Sequence, residues 1–322
     1  MQTKALLAAL ALSGAALLAS TAATRAQFEV EEPEAQQGEV ELEYNGDYHF
    51  GNPRRRVVEE GGEIIADENE VLRQRHVFAI GFGLTNFFKF SVEAEFEQER
   101  LDDIDDIALA NSFGDLEATE IEFEGIAVLR PLNGDGFGAA ALISYAAALG
   151  DDSNQFQIGP ILKVAQGKWS ATTNLFFVKN IGGGEREPDG SIFRDERWDL
   201  DYAWRVAYQA TERWALALEG FGTFNRLGSS GRKSEAVELF GDQDPHRLGP
   251  VAYYTFKHPR GARMASLKDP NGNGEGSANA NGNGNGDDDD EGTTVTAGFG
   301  VLFGLNENTS DVALKWSLEV EF

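Results

Sequence analysis

The sequence predicts an all-β fold: an antiparallel transmembrane β-barrel of about 12 strands behind an N-terminal signal peptide. Three observations predict it. Apolar and polar residues alternate with a period of two along most of the chain. The connections between the alternating runs are mostly short and long by turns. The last run is itself alternating and ends on an aromatic, Phe322.

Composition narrows the class further. The 322 residues carry 27 Lys and Arg against 54 Asp and Glu, a net charge of −27. Phosphate contacts need a basic face, so nucleic acid is not an expected partner. With no cysteine, disulfides, thiolate metal sites and Cys nucleophiles are excluded. The four histidines are His49, His76, His246 and His258, and none forms the i, i+4 pair of a zinc protease helix. Abundant Gly and Phe with little Pro suits turn-rich β structure.

Taken in order, the chain opens with Lys4, an apolar run from Ala5 to Ser20, and the small-residue site Thr24-Arg25-Ala26. This reads as a secretory signal peptide, residues 1–26, cut after Ala26. A membrane anchor is the rival reading, but 16 apolar residues are few for a span, which needs about 20. No later run is long and apolar enough for a spanning helix, whereas barrel strands need only about 9–11 residues each.

Strands are expected at 38–50, 72–84, 88–99, 116–130, 137–149, 154–166, 169–180, 196–210, 214–226, 246–258, 293–305 and 311–322. In the first, Val40, Leu42, Tyr44, Gly46, Tyr48 and Phe50 oppose Glu39, Glu41, Glu43, Asn45, Asp47 and His49. In the third, Phe88, Phe90, Val92, Ala94 and Phe96 oppose Lys89, Ser91, Glu93, Glu95 and Glu97. In the last, Val312, Leu314, Trp316, Leu318, Val320 and Phe322 oppose Lys315, Ser317, Glu319 and Glu321. A helix, with its period of 3.6, cannot keep such a face.

Register agrees with this reading. A loop at 85–87 pairs Phe82 with Phe90 and Ile80 with Val92, a turn at 167–168 pairs Pro160 with Leu175, and a loop at 211–213 pairs Tyr208 with Leu216. The tight turns fall on the periplasmic side if the N-terminus starts there. Two connections break the pattern: 150–153 is short where an external loop is expected, and 259–292 is long where a turn is expected. The latter is rich in Asn, Gly and Asp and reads as a disordered, low-complexity insert.

An apolar sheet face can meet lipid or a second sheet. Strand length, loop asymmetry and the terminal aromatic favour lipid, and with it a place in the Gram-negative outer membrane. The final hairpin, Gly298-Phe299-Gly300-Val301-Leu302-Phe303-Gly304-Leu305 through Asn306–Asp311 to Val312-Ala313-Leu314-Lys315-Trp316 and Leu318-Glu319-Val320-Glu321-Phe322, resembles the end of outer-membrane proteins grouped with the phenol meta-cleavage pathway. The Gly-Pro strands at Ile158-Gly159-Pro160 and Leu248-Gly249-Pro250 are similar too. The resemblance implies uptake or efflux of small, often hydrophobic compounds. It supplies no substrate residues, and the insert at 270–292 departs from the family pattern.

On the polar parity, Glu93, Glu95, Glu97, Glu120, Glu122, Glu124, Asp199 and Asp201 should point inward, joined by Arg73, Arg75 and Arg205. These are the candidate lumen-lining, selectivity-setting residues. Arg75 should face Glu97, and Arg73 should face Glu99. Such a surface reads either as a wet, cation-favouring pore or as a lumen packed with ion-paired side chains. Barrels of about eight strands are filled and those of 16–18 leave channels, so twelve falls between.

Nothing in the pattern predicts catalysis, a metal or a cofactor. His76 lies on the apolar parity without a polar companion and reads as an interfacial histidine. The acidic runs Asp102–Asp106 and Asp287–Glu291 lack the spacing of a calcium loop and read as solvated. The expected function is passive passage of small solutes, hydrophobic or aromatic ones included, through an outer-membrane barrel that is not an enzyme. Its expected partners are membrane lipid, the solutes, and the outer-membrane assembly machinery that would read Phe322. The alternative is a closed barrel with a structural or loop-mediated adhesive role.

Overall fold

The computed structural model describes residues 28–54, 57–60, 63–66, 71–101, 106–149, 153–182, 185–186, 192–193, 197–225, 227, 245–258, 293–306 and 309–322. The expected signal peptide 1–26, the insert 259–292 and most of the run Asp102–Asp106 lie outside the described residues.

Twelve long strands form the wall. They are β1 (Val40–Phe50), β4 (Leu72–Thr85), β5 (Phe88–Glu99), β6 (Glu117–Arg130), β7 (Gly136–Ala148) and β8 (Ser153–Gln166), then β9 (Trp169–Gly182), β12 (Trp198–Gln209), β13 (Trp214–Phe224), β14 (His246–His258), β15 (Thr293–Gly304) and β16 (Val312–Glu321). Each pairs antiparallel with its neighbours in chain order, and β1 pairs with β16 to close the barrel. Two small hairpins, β2 (Val57–Glu60) with β3 (Glu63–Ala66) and β10 (Glu185–Arg186) with β11 (Ile192–Phe193), form in the connections from β1 to β4 and from β9 to β12. They lie in charged loops without strong alternation, and the sequence did not point to them.

The ladders follow the alternation. Phe82 pairs with Phe90, Ile80 with Val92 and Tyr208 with Leu216. Arg75 stands opposite Glu97. Arg73 does not stand opposite Glu99, because the register shifts between Leu72 and Gln74 and gives that place to Leu72. A bulge leaves its extra residue without a partner and re-aims its side chain; the Arg73 guanidinium lies 4.0 Å from the centre of the Phe113 ring in the loop after β5.

The two Gly-Pro pairs have a common cause. Neither pair takes part in the ladder on one side, between Ile158 and Ile161 on β8 and between Leu248 and Val251 on β14. Proline has no N–H to offer the neighbouring strand. The facing carbonyl group, Leu175 beside β8 and Val301 beside β14, leans over the preceding glycine, where a Cβ would overlap its oxygen. Glycine is therefore the residue that lets a proline sit in mid-wall.

Outside, the wall is apolar and open. Phe78, Phe123, Phe177, Leu216, Phe299 and Leu318 are all exposed. A surface this extensive needs a non-aqueous neighbour. Near the periplasmic ends Trp169 packs on Tyr208 (4.8 Å between ring centres) and Trp214 on Tyr254 (4.7 Å), as in the aromatic girdles of membrane barrels. His76 also faces outward, but with a polar companion that the alternation did not reveal: the Tyr44 hydroxyl is 2.9 Å from its Nδ1 and accepts from Trp316 Nε1 at 3.1 Å. The indole lies against Gly46, the absence of a Cβ giving it room.

Gly159→Ala and Gly249→Ala should each destabilise the folded barrel by about 1–3 kcal/mol, read as a lower urea midpoint in vesicles. Gly114→Ala, where a Cβ would meet only ordinary van der Waals contacts, should cost less.

Candidate functional site: the lumen and the segment inside it

Inward-facing residues meet something the alternation of the wall did not announce. The segment before β1, from Phe28 to Gly38, runs through the lumen. At the periplasmic rim, Gly38 N–H donates to Gly83 O (2.8 Å) and Gln37 N–H to Asn86 Oδ1 (3.0 Å). Midway, Asn174 grips the backbone at two points: Glu31 N–H donates to its Oδ1 (2.8 Å), and its Nδ2 donates to Glu31 O (3.0 Å). Beyond that, Phe28 is buried near the external ends of β1 and β14. Eleven extended residues reach about 36 Å, enough to cross the wall's apolar band of about 25 Å.

Apolar and ionic contacts share the hold. Phe28 and Val30 form one buried cluster with Ala203, Phe221, Leu302 and Ala313. Ala35 packs on a second, made by Ile126, Val128, Ala140, Leu142, Ile161 and Phe176. The Glu32 carboxylate accepts from Lys163 (2.8 Å), Arg205 (3.2 Å) and the Thr172 hydroxyl (3.3 Å), and Glu34 accepts from Lys163 (2.7 Å).

The candidate selectivity residues divide between walls. Glu93, Glu95, Glu97, Glu120, Glu122 and Glu124 are all buried on the inner face of β5 and β6, with Glu93 opposite Glu122 and Glu95 opposite Glu120. Like charges directly opposed across a ladder are unfavourable. Nearby donors offset part of the cost: Ser91 donates to Glu124 (3.2 Å), Thr119 to Glu95 (3.2 Å), and Arg75 lies 3.9 Å from Glu95. The main partner of Arg75 is Asp47 at 3.1 Å.

Elsewhere on the inner face β12 carries Arg205, β14 Arg247 and β16 Lys315. Glu219 there is buried between Arg205 and Lys315, each at 2.7 Å, and accepts from the Tyr253 hydroxyl. Asp199 is likewise buried and accepts from Asn180 (2.7 Å) and Arg197 (3.1 Å). Asp201, on the same face, stands opposite Thr223. The acids of β5 and β6 thus face a mixed wall in which Arg205, Arg247 and Lys315 stand among Asp199, Asp201 and Glu219, and the segment lies between them. Arg73 sits at the bulge described above, over the Phe113 ring.

Sequence reasoning passed over the segment because it has no hairpin partner. Its signal was present: Phe28 and Val30 alternate with Glu29 and Glu31, and Ile126, Val128, Leu142 and Ile161 break the polar parity of their strands.

No family model and no curated protein sequence matches the chain. Among solved structures, the COG4313 outer membrane channel from Pseudomonas putida F1 superposes with a TM-score of 0.53 at 10% identity, covering 91% of this chain and 99% of that one. The fold is that of an outer-membrane β-barrel channel. The NanC porin also matches, at a TM-score of 0.45 and 10% identity over 87% of this chain and 98% of that one. The outward apolar face of such a fold is the face that meets lipid.

Since the chain has no cysteine, a Val30→Cys variant reports release of the segment by its labelling rate in the folded barrel. Adding Glu32→Ala should speed labelling about tenfold, the equivalent of losing ~1.4 kcal/mol of docking.

Proposed function

We propose that this barrel passes small solutes passively across the outer membrane, and that segment 28–38 sets how far the path is open. The observation that carries the reading is the source of the filling. Small barrels are filled by their own wall side chains, whereas here a peptide segment fills the space between an acidic wall and one of mixed charge. Moving it aside would leave a path lined by Glu93, Glu95, Glu97, Glu120, Glu122 and Glu124 on one side and, on the other, by Arg205, Arg247 and Lys315 interspersed with Asp199, Asp201 and Glu219. Those six acids are the residues proposed to favour cations, with Arg75, Asp199, Asp201 and Arg205 completing the ionic lining. Small hydrophobic or aromatic solutes are the proposed cargo, supported by the apolar clusters around Phe28 and Ala35. Phe322, exposed at the end of the closing strand, is the proposed signal for the assembly machinery.

The two buried clusters also favour a second reading, a barrel kept shut whose external loops act. One experiment separates them: planar-bilayer conductance under a salt gradient for the mature protein and for a deletion of residues 28–38. Passage predicts small steps for the first and larger, cation-selective steps for the second. In the deletion, Glu95→Gln with Glu122→Gln should move the reversal potential toward zero. Silence from a folded deletion variant would favour the shut barrel.

A further inference from the structure

Phe28 does not sit in a purely apolar niche. Its ring lies 5.3 Å from Phe221 and 5.7 Å from the His49 ring, centre to centre. Two guanidinium carbons approach the same ring, Arg247 at 5.2 Å and Arg75 at 5.5 Å. The two arginines differ in their partners. Arg75 is matched to Asp47, which also binds His49 Nε2 at 2.6 Å. Arg247 is matched to no carboxylate among the described residues. Its NH2 donates to Ser310 Oγ (3.1 Å) and lies 3.4 Å from His49 Nδ1, and its Nε is buried with no hydrogen-bond partner. A cleft beside Phe28, lined also by Asn45, Asp47, Arg75 and Lys315, adjoins the niche.

We propose that this niche, near the external end of the lumen, is a binding site for a monoaromatic carboxylate, with Phe28 as its internal occupant. The inference rests on the reading of the barrel as a channel. The ligand's ring takes the place of the Phe28 side chain against Phe221, and its carboxylate accepts from the unpartnered Nε of Arg247. The charge is required by competition. Phe28 is tethered and so present at a high effective concentration. A neutral ring offers the niche nothing that Phe28 lacks, whereas a carboxylate adds a charge-assisted hydrogen bond to an arginine Nε that has no partner. An inorganic anion would satisfy Arg247 but leave the apolar wall of Val30, Ala203, Phe221 and Leu302 unused. A cation would meet two guanidinium groups.

The test is isothermal titration of the full mature protein, refolded in detergent, with benzoate, benzamide and acetate as probes. Heat-modifiable gel mobility reports folding, and conductance is recorded on the same preparations. Benzoate should bind Phe28→Ala about tenfold more tightly than the unsubstituted protein, and benzamide and acetate at least about tenfold more weakly than benzoate. Arg247→Gln in the Phe28→Ala background should abolish the preference for benzoate over benzamide. Equal binding of benzoate and benzamide by Phe28→Ala overturns the proposal without any arginine variant, so a misfolded Arg247→Gln does not protect it. No gain from Phe28→Ala overturns it as well. A conducting protein indifferent to benzoate refutes this site and spares the channel; a silent one that binds benzoate with this preference does the reverse.

Discussion

A wall facing hydrocarbon has to satisfy its own backbone, because no water is there to pair a free N–H or C=O. Everything else in this molecule is arranged around that requirement. The strands run 10 to 14 residues, where ordinary globular strands average about 5–6. The seam between first and last strands is closed at its end by Val40 and Phe322, whose N–H and C=O groups pair reciprocally. Where proline interrupts the ladder, the residue before it is glycine both times, and the unpaired carbonyl turns over it and away from the lipid side.

The interior follows a different economy. An aqueous or filled lumen tolerates charge, and this one collects it in excess on β5 and β6. The segment aggravates the excess with Glu29 and Glu31 while relieving it elsewhere through Glu32 and Glu34, which complete Lys163 and Arg205. Its hold is the difference between apolar clusters with ionic contacts on one side and carboxylate repulsion on the other. A filling balanced in this way suits a part that moves better than a part that only supports the wall.

Much of the wall was legible because side-chain direction in a strand has a period of two and lipid enforces it. The run from Phe88 to Glu97 can be read in only one way, and its pairing with β4 follows from the short turn between them. The lumen was legible only as a set of inward residues. Glu93 and Arg75 declare their parity; nothing local declares that Arg75 will meet Asp47 on the neighbouring strand, or that Asn174 will grip Glu31 from 143 positions away. Arg73 was misplaced because a bulge alters parity by one residue and leaves no mark in composition. His76 was read without a partner because Tyr44, which binds it, lies on another strand with the same apolar parity. Even so, Phe28 to Glu31 carries the same alternation as the wall, in a stretch with no strand to pair with.

The position of that segment also bears on how the molecule is put together. It precedes β1, and β1 forms the seam with β16, the pairing that joins the most distant parts of the chain. Closing so long a loop carries the greatest entropic cost of any ladder, which places it last. Until then the sheet is open along that edge, and the segment can be laid against β9 and β12 sideways. The finished cylinder never has to be threaded through either mouth. It is wrapped around its contents, like a cigar leaf around its filler.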